Sequence, residues 1–155
     1  WLGYTFARTL RKFDGIDNGT AFPAKQDIIH DVSIVGIYEL SKKWTFSAVW
    51  VYYTGNAVTF PSGKYMIDGI VVSQYTNRNG YRMPPYHRLD VGFTYISKKT
   101  DKKESSWNLS VYNVYARENA FSISFEKDPN DPTKTQAVQL SLFRFVPSVT
   151  YNFKF

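Results

Sequence analysis

No stretch of this chain holds an apolar period of 3.6 residues, whereas period-2 alternation recurs in runs rich in Val, Ile, Thr, Tyr, Phe and Trp. That pattern fits half-buried strands and excludes an amphipathic helical bundle. Six strands are expected, at about 1–9, 30–40, 44–54, 86–97, 106–116 and 137–155. In the second, Val32, Ile34, Tyr38 and Leu40 share a face opposite Asp31, Ser33 and Glu39. In the fourth, Leu89, Val91, Phe93 and Tyr95 oppose Arg88, Asp90, Gly92 and Thr94. At the chain end, Val149, Tyr151, Phe153 and Phe155 oppose Ser148, Thr150, Asn152 and Lys154. Val35, Ile37, Val49 and Val51 interrupt the polar face, so the alternation is good without being strict.

The connections constrain the topology further. Ser41-Lys42-Lys43 joins strands two and three, and about ten polar residues around Thr100 to Ser105 join strands four and five. The other connections, about 10–29, 55–85 and 117–136, are long. They hold the turn-forming residues: Asp14-Gly15, Asn18-Gly19, Pro61-Ser62-Gly63, Asn79-Gly80, Pro84-Pro85 and Asp128-Pro129-Asn130-Asp131-Pro132. In an up-and-down antiparallel meander every second connection lies at the same end, so the long loops share one end and the short turns the other. Compact soluble domains keep loops short. Outer-membrane barrels combine short periplasmic turns with longer extracellular loops.

Composition agrees with a wall better than with a soluble core. Twelve Tyr, twelve Phe and four Trp make the chain 18% aromatic. A length of 155 residues suits one domain. The absence of cysteine rules out a disulfide, a thiolate nucleophile and a cysteine-ligated metal. The longest apolar runs, such as Ile34 to Tyr38 and Ala48 to Tyr53, fall short of the roughly 18 residues of a membrane helix. Mean hydropathy of −0.35 does not argue against a membrane, because a β-barrel alternates polar and apolar residues. Trp1 opens the chain without a basic leader, so a mature product or a piece of a longer protein is expected. The net charge of +6 raises the question of nucleic acid. However, the pairs Lys42-Lys43, Lys98-Lys99 and Lys102-Lys103 sit in short connections rather than interleaved with aromatics on one face, and no nucleic-acid partner is expected.

A weak internal repeat supports two interfacial belts. His30-Asp31-Val32 and His87-Arg88-Leu89 each open a strand after a long loop, and Tyr38 and Tyr95 each follow their His by eight residues. Ser41-Lys42-Lys43 and Ser97-Lys98-Lys99 then turn the chain, before Trp44 and Trp107 on the return strands. Eight residues span roughly 27 Å at about 3.4 Å each, close to the height of an apolar band of about 25 Å. Tyr and Trp near the short turns, with His and Pro-Tyr at the other end, would then mark the two interfaces.

The chain ends Phe145-Val146-Pro147-Ser148-Val149-Thr150-Tyr151-Asn152-Phe153-Lys154-Phe155, with Tyr151, Phe153 and Phe155 in phase. This resembles the C-terminal strand that outer-membrane barrel proteins present to the barrel-assembly machinery. Pro85-Tyr86-His87-Arg88-Leu89-Asp90, the run Trp107 to Phe121, Ser141-Leu142-Phe143 and Pro147 to Phe155 extend the likeness. Together they resemble the C-terminal end of TonB-dependent outer-membrane receptors, in the form common in Bacteroidetes-type bacteria. Phe22-Pro23-Ala24-Lys25-Gln26-Asp27 through Asp31, followed by Trp50 to Ala57, fit the same family, while Ala116 and Arg144 depart from it. The likeness covers nearly all of residues 1–155.

That resemblance implies a barrel of about 22 strands around an N-terminal plug. It implies location in the bacterial outer membrane and energised uptake of a scarce nutrient. An inner-membrane TonB complex would act on the plug through a TonB box, and a surface lipoprotein is a possible further partner. The substrate class stays open among iron chelates, haem, cobalamins, glycans and peptides. Six strands cannot close such a barrel, since the smallest single-chain ones use about eight. The expected identity is therefore an all-β, antiparallel six-stranded segment forming the C-terminal part of the barrel, contacting lipid and the rest of its own barrel, with the plug outside this chain.

No enzyme, metal or cofactor site is expected. His30 with Asp27 and Asp31, or His87 with Asp90, offers too few ligands for a metal. Alternation turns Asp31, Arg88 and Asp90 toward a polar lumen, where charges pair with neighbours. No Gly-x-Ser-x-Gly elbow occurs, nor a paired-carboxylate context. Asp128 to Asp131 lacks the EF-hand pattern and reads as a turn. Asn18-Gly19-Thr20 and Asn108-Leu109-Ser110 match a glycosylation sequon without implying modification in a bacterium. The ligand-facing candidates are Tyr65, Tyr75, Arg78, Tyr81 and Arg82 in the middle loop, for which packing within the loop is an equal alternative. Two other classes compete with the transporter: a soluble β-sandwich or barrel binding module, and an enzyme on a small outer-membrane barrel.

Overall fold

The computed structural model describes residues 1–68, 70–75, 77–100, 103–131 and 134–155. Six strands form one sheet: β1 (Leu2–Phe6), β2 (His30–Glu39), β3 (Trp44–Tyr53), β4 (Tyr86–Lys99), β5 (Glu104–Tyr112) and β6 (Val146–Lys154). Their spatial order follows the sequence, so the sheet is an up-and-down meander with β1 and β6 at its edges. It is open, not closed into a barrel. No α-helix occurs among the described residues, only a short 3-10 turn at Asp17–Gly19.

The strand boundaries correct the sequence-based expectation in four places, the first being β1, which ends at Phe6 rather than at about residue 9. β4 runs on to Lys99 and β5 starts at Glu104, leaving four connecting residues, 100–103, instead of about ten. The Thr100 amide closes this turn on the Lys103 carbonyl at 2.8 Å. β5 stops at Tyr112, because Asn113 and Ala116 adopt positive φ of 53° and turn the chain away from the sheet. The last strand begins at Val146, not 137; Thr135–Leu140 instead pairs with Ser122–Lys127 as a hairpin within the third long connection. Lys102 and Pro132, named above in a lysine pair and a turn, lie outside the described residues.

Short hairpins organise the other long connections. Leu10–Arg11 pairs with Phe22–Pro23, Ala57–Val58 with Tyr81–Arg82, and Gly63–Ile67 with Ile70–Gln74. The chain forms two compact units. One comprises Trp1–Tyr4, Val32–Tyr52 and Tyr86–Phe155; the other comprises Thr5–Asp31 and Tyr53–Pro85.

The loop unit holds the small buried core: Phe22, Ala24 and Ala57 with the carboxylate of Asp27. Gly55 permits a close backbone crossing there. A Cβ at that position would stand 1.8 Å from the Met83 carbonyl oxygen, so no other residue fits without moving the backbone. In the sheet unit, Asn113 is fully buried and accounts for the turn after β5. Its amide donates to Asp90 Oδ1 at 2.9 Å, and its side chain donates to the carbonyls of Arg117 and Arg144 at 2.9 and 2.5 Å. A short polar side chain in the left-handed region thus ties both ends of the third connection to β4.

Candidate functional site

Register divides β4 to β6 into two chemically distinct faces. Val91, Phe93 and Tyr95 of β4 align with Val111, Leu109 and Trp107 of β5. These align in turn with Pro147, Val149 and Tyr151 of β6. Directly opposed residues share a face, so these side chains form one apolar surface. The other surface carries Gly92, Thr94 and Ile96 beside Ser110, Asn108 and Ser106, and then Ser148, Thr150 and Asn152. The apolar surface is uncovered: Phe93, Leu109, Val149 and Phe153 are 40, 46, 65 and 67% exposed. A soluble protein rarely leaves so continuous an apolar area to water.

The edge strand β1 adds to this exposed apolar area. Trp1 and Val35 exchange reciprocal backbone bonds of 2.8 Å, which sets Leu2, Tyr4 and Phe6 beside Ile34, Val32 and His30. The rings of Phe6 and His30 confirm the register at 5.4 Å. Leu2, Tyr4, Phe6 and Ile34 are all exposed.

Aromatic rings are arranged by level along the strands. Near the short turns, Trp44 packs on Tyr95 at 4.7 Å, Tyr95 opposes Trp107, and Trp107 packs on Tyr151 at 4.7 Å. One row of Trp and Tyr therefore crosses four neighbouring strands, β3 to β6. Phe46 on Phe93, at 5.0 Å, lies further along the same face. A second aromatic group gathers toward the long connections: Trp50 stacks on Tyr52 at 6.1 Å, and His87 Nδ1 lies 2.8 Å from the Tyr115 hydroxyl. Burial pushes the Tyr115 hydroxyl pKa up, with the Trp50 side chain's hydrogen bond opposing it in part. His87 and Tyr95 stand eight residues apart on β4, as the sequence repeat requires.

On the polar face the charges pair locally. Arg88 Nε lies 3.0 Å from Asp90 Oδ2. Arg88 Nη1 donates to the hydroxyls of Tyr86 and Tyr112 at 3.0 and 2.8 Å, and its guanidinium sits 4.3 Å from the Tyr112 ring centroid. Arg88 and Asp90 thus neutralise each other, as expected from the alternation. The sequence did not announce the two tyrosines, because only the register brings the ends of β4 and β5 together.

In the loop unit the five ligand-facing candidates separate. Tyr75 and Arg78 share a hollow of about 430 Å³ with Asp17, Thr59, Asn77 and Asn79. The Arg78 guanidinium also lies 5.6 Å from the Phe22 ring centroid. Tyr65 stands exposed on its own hairpin opposite Val72, and Tyr81 packs toward Phe60 at 6.0 Å. Arg82 turns inward: it bonds the Asp27 carboxylate through Nη2 and reaches the Asp27 and Gly55 carbonyls through Nη1 at 2.8 and 3.1 Å.

Asp27 is fully buried, accepts the Thr9 amide, and has Arg8 Nε at 3.7 Å. Burial by itself would raise its pKa, but the Thr9 amide, Arg82 and Arg8 outweigh burial and hold the carboxyl below its ordinary value. Asp27 therefore works as an anchor for the loops. No group of three or more His, Asp or Glu side chains able to hold a metal occurs among the described residues. No protein-family profile, curated protein or solved structure matches the chain.

Proposed function

We propose that this chain is the C-terminal wall of a TonB-dependent receptor barrel in the bacterial outer membrane, part of an importer for a scarce nutrient. The observation that carries the reading is the uncovered apolar face crossed at one level by the row Trp44, Tyr95, Trp107 and Tyr151. Lipid is the natural cover for such a face, and Trp and Tyr settle where hydrocarbon meets headgroups. The open edges at β1 and β6 favour a larger barrel, because each unpaired backbone group in lipid costs several kcal/mol. Further strands of the same barrel would satisfy them, and the final strand with Tyr151, Phe153 and Phe155 would serve the assembly machinery. The polar face, with Arg88, Asp90 and the Ser and Thr rows, suits a lumen occupied by the plug.

A soluble β-sandwich would set a second sheet over Phe93, Leu109 and Val149, and those residues are exposed. Membrane fractionation of the protein as its cell makes it tests the reading. The expected result is extraction by detergent and not by carbonate or urea. A monomer that folds cooperatively in detergent-free buffer would overturn it. Sequencing the reading frame upstream for a plug-encoding region tests the receptor class separately.

A further inference from the structure

Lysine is the only cation type at the short-turn end of the sheet. Among the described residues, the short-turn end of the sheet carries Lys42, Lys43, Lys98, Lys99, Lys103 and Lys154 against Glu39 and Glu104, a net +4 out of the whole chain's +6. No arginine lies at this end; Arg8, Arg82, Arg88 and Arg144 all make fixed ion pairs elsewhere. All six lysines are exposed, and none takes part in an ion pair among the described residues. Lysine on a flexible stem suits a shifting layer of charges, whereas arginine suits one fixed geometry.

A bulge aims one of these lysines outward. Ile96 aligns with Ser106, but the next aligned pair is Lys98 with Ser105, so Ser97 is the extra residue. Its hydroxyl lies 2.8 Å from that of Ser105. Strict alternation from Tyr95 would put Ser97 on the apolar face and Lys98 on the polar one. The bulge reverses this: Lys98 shares a face with Ser105 and Phe153, one step beyond the row Tyr95, Trp107 and Tyr151. In the other hairpin Lys42 and Lys43 immediately precede Trp44, the first ring of that row, and the Ser41 hydroxyl accepts the Lys43 and Trp44 amides at 3.3 and 3.2 Å. Both hairpins thus place ammonium groups just outside an aromatic belt, at headgroup level if the belt marks the hydrocarbon boundary.

We infer that this end of the sheet is a binding surface for anionic phospholipid headgroups, with Lys42, Lys43, Lys98 and Lys103 gathering phosphates around the aromatic row. The inference rests on the membrane-wall reading and adds a preference among lipids to it. Unpaired positive charge at a membrane surface enriches anionic lipid locally, and the effect is screened by salt.

The test uses the protein as its cell makes it, in phosphatidylcholine vesicles, with Trp1→Phe, Trp50→Phe and any tryptophan outside residues 1–155 likewise replaced, so that Trp44 and Trp107 report alone. A minor fraction of lipid brominated on its acyl chains is supplied as phosphatidylglycerol or, in parallel, as phosphatidylcholine. Brominated phosphatidylglycerol is expected to quench about two- to threefold more at equal mole fraction. The excess should vanish at high salt and in K42Q/K43Q/K98Q/K103Q. Quenching by the phosphatidylcholine form, retained in that variant, shows that it is inserted. Equal quenching by both lipids, or an excess unchanged in the glutamine variant, overturns the inference alone. Quenching by neither lipid overturns the membrane wall beneath it.

Discussion

Replacing Asp27 with alanine should loosen the loop unit while leaving the sheet intact. The carboxylate is fully buried and accepts the Thr9 amide on one oxygen and Arg82 on the other. Arg8, half exposed at 3.7 Å, adds at most about 1 kcal/mol. Losing a charge-assisted bond to a buried carboxylate costs about 1.5–3 kcal/mol, and stranding the Thr9 amide about 1–2 more. Arg82 keeps its two carbonyl acceptors and some solvent, which places the total near 3 kcal/mol. At about 1.4 kcal/mol per tenfold, opening becomes roughly 150 times more frequent.

Hydrogen exchange at the amides of Thr9, Ala24 and Asp27 reads this directly, since all three are bonded inside the unit. Asp27→Asn, which keeps an acceptor for Thr9 but not the charge, should show about half the free-energy loss. The pH dependence has a defined sign. A carboxyl held below its ordinary value near 3.8 stabilises fully above that value and stops doing so as pH falls through its folded pKa. Protection of Thr9, corrected for intrinsic exchange, should therefore be flat above about pH 5 and fall in acid. Protection in Asp27→Ala within twofold of the parent would refute the anchor reasoning.

Two further substitutions probe the sheet. Leu109→Arg places a charge on the apolar face between Phe93 and Val149 and should cost about 2–4 kcal/mol in a bilayer, whereas Ser110→Arg on the polar face should cost less than about 1; urea unfolding in vesicles measures both. Asn113→Ala should destabilise the third connection by about 2–4 kcal/mol through lost carbonyl contacts and left-handed strain, and Asn113→Gly by about 1 kcal/mol less, read by protease cleavage within 114–145.

The alternation of Leu89 to Tyr95 and Val149 to Phe155 made the apolar face legible, because period 2 is a local property of the chain. The outward row of Trp and Tyr followed from the spacing of His, Tyr and the lysine turns. Three features were not legible. The expected sixth strand is too long because Ala137 to Leu140 has strand-like residues of its own, and only its pairing with Ser122–Lys127 separates it from Val146–Lys154. Asp27 and Arg82 lie 55 residues apart, so nothing local showed that Arg82, a ligand-facing candidate, turns inward to a buried carboxylate. Asn113 looked like an ordinary strand residue, although Asn is among the few residues that tolerate its backbone conformation. The Ser97 bulge likewise depends on two strands adopting one register, which no single run of sequence records.

The central claim is that one face of β5 and β6 meets lipid and the other a polar interior. Residues 1–155 hold no cysteine, so once any cysteine elsewhere in the protein is replaced, spin labels can be placed singly at 107–110 and 148–151 in the protein in its membrane. Collisions with oxygen, which partitions into lipid, and with a water-soluble nickel complex then report on each side chain. The account predicts a period of two: oxygen dominant at Trp107, Leu109, Val149 and Tyr151, and nickel dominant at Asn108, Ser110, Ser148 and Thr150. Nickel dominant at Leu109 and Val149 would place this face in water and contradict the account.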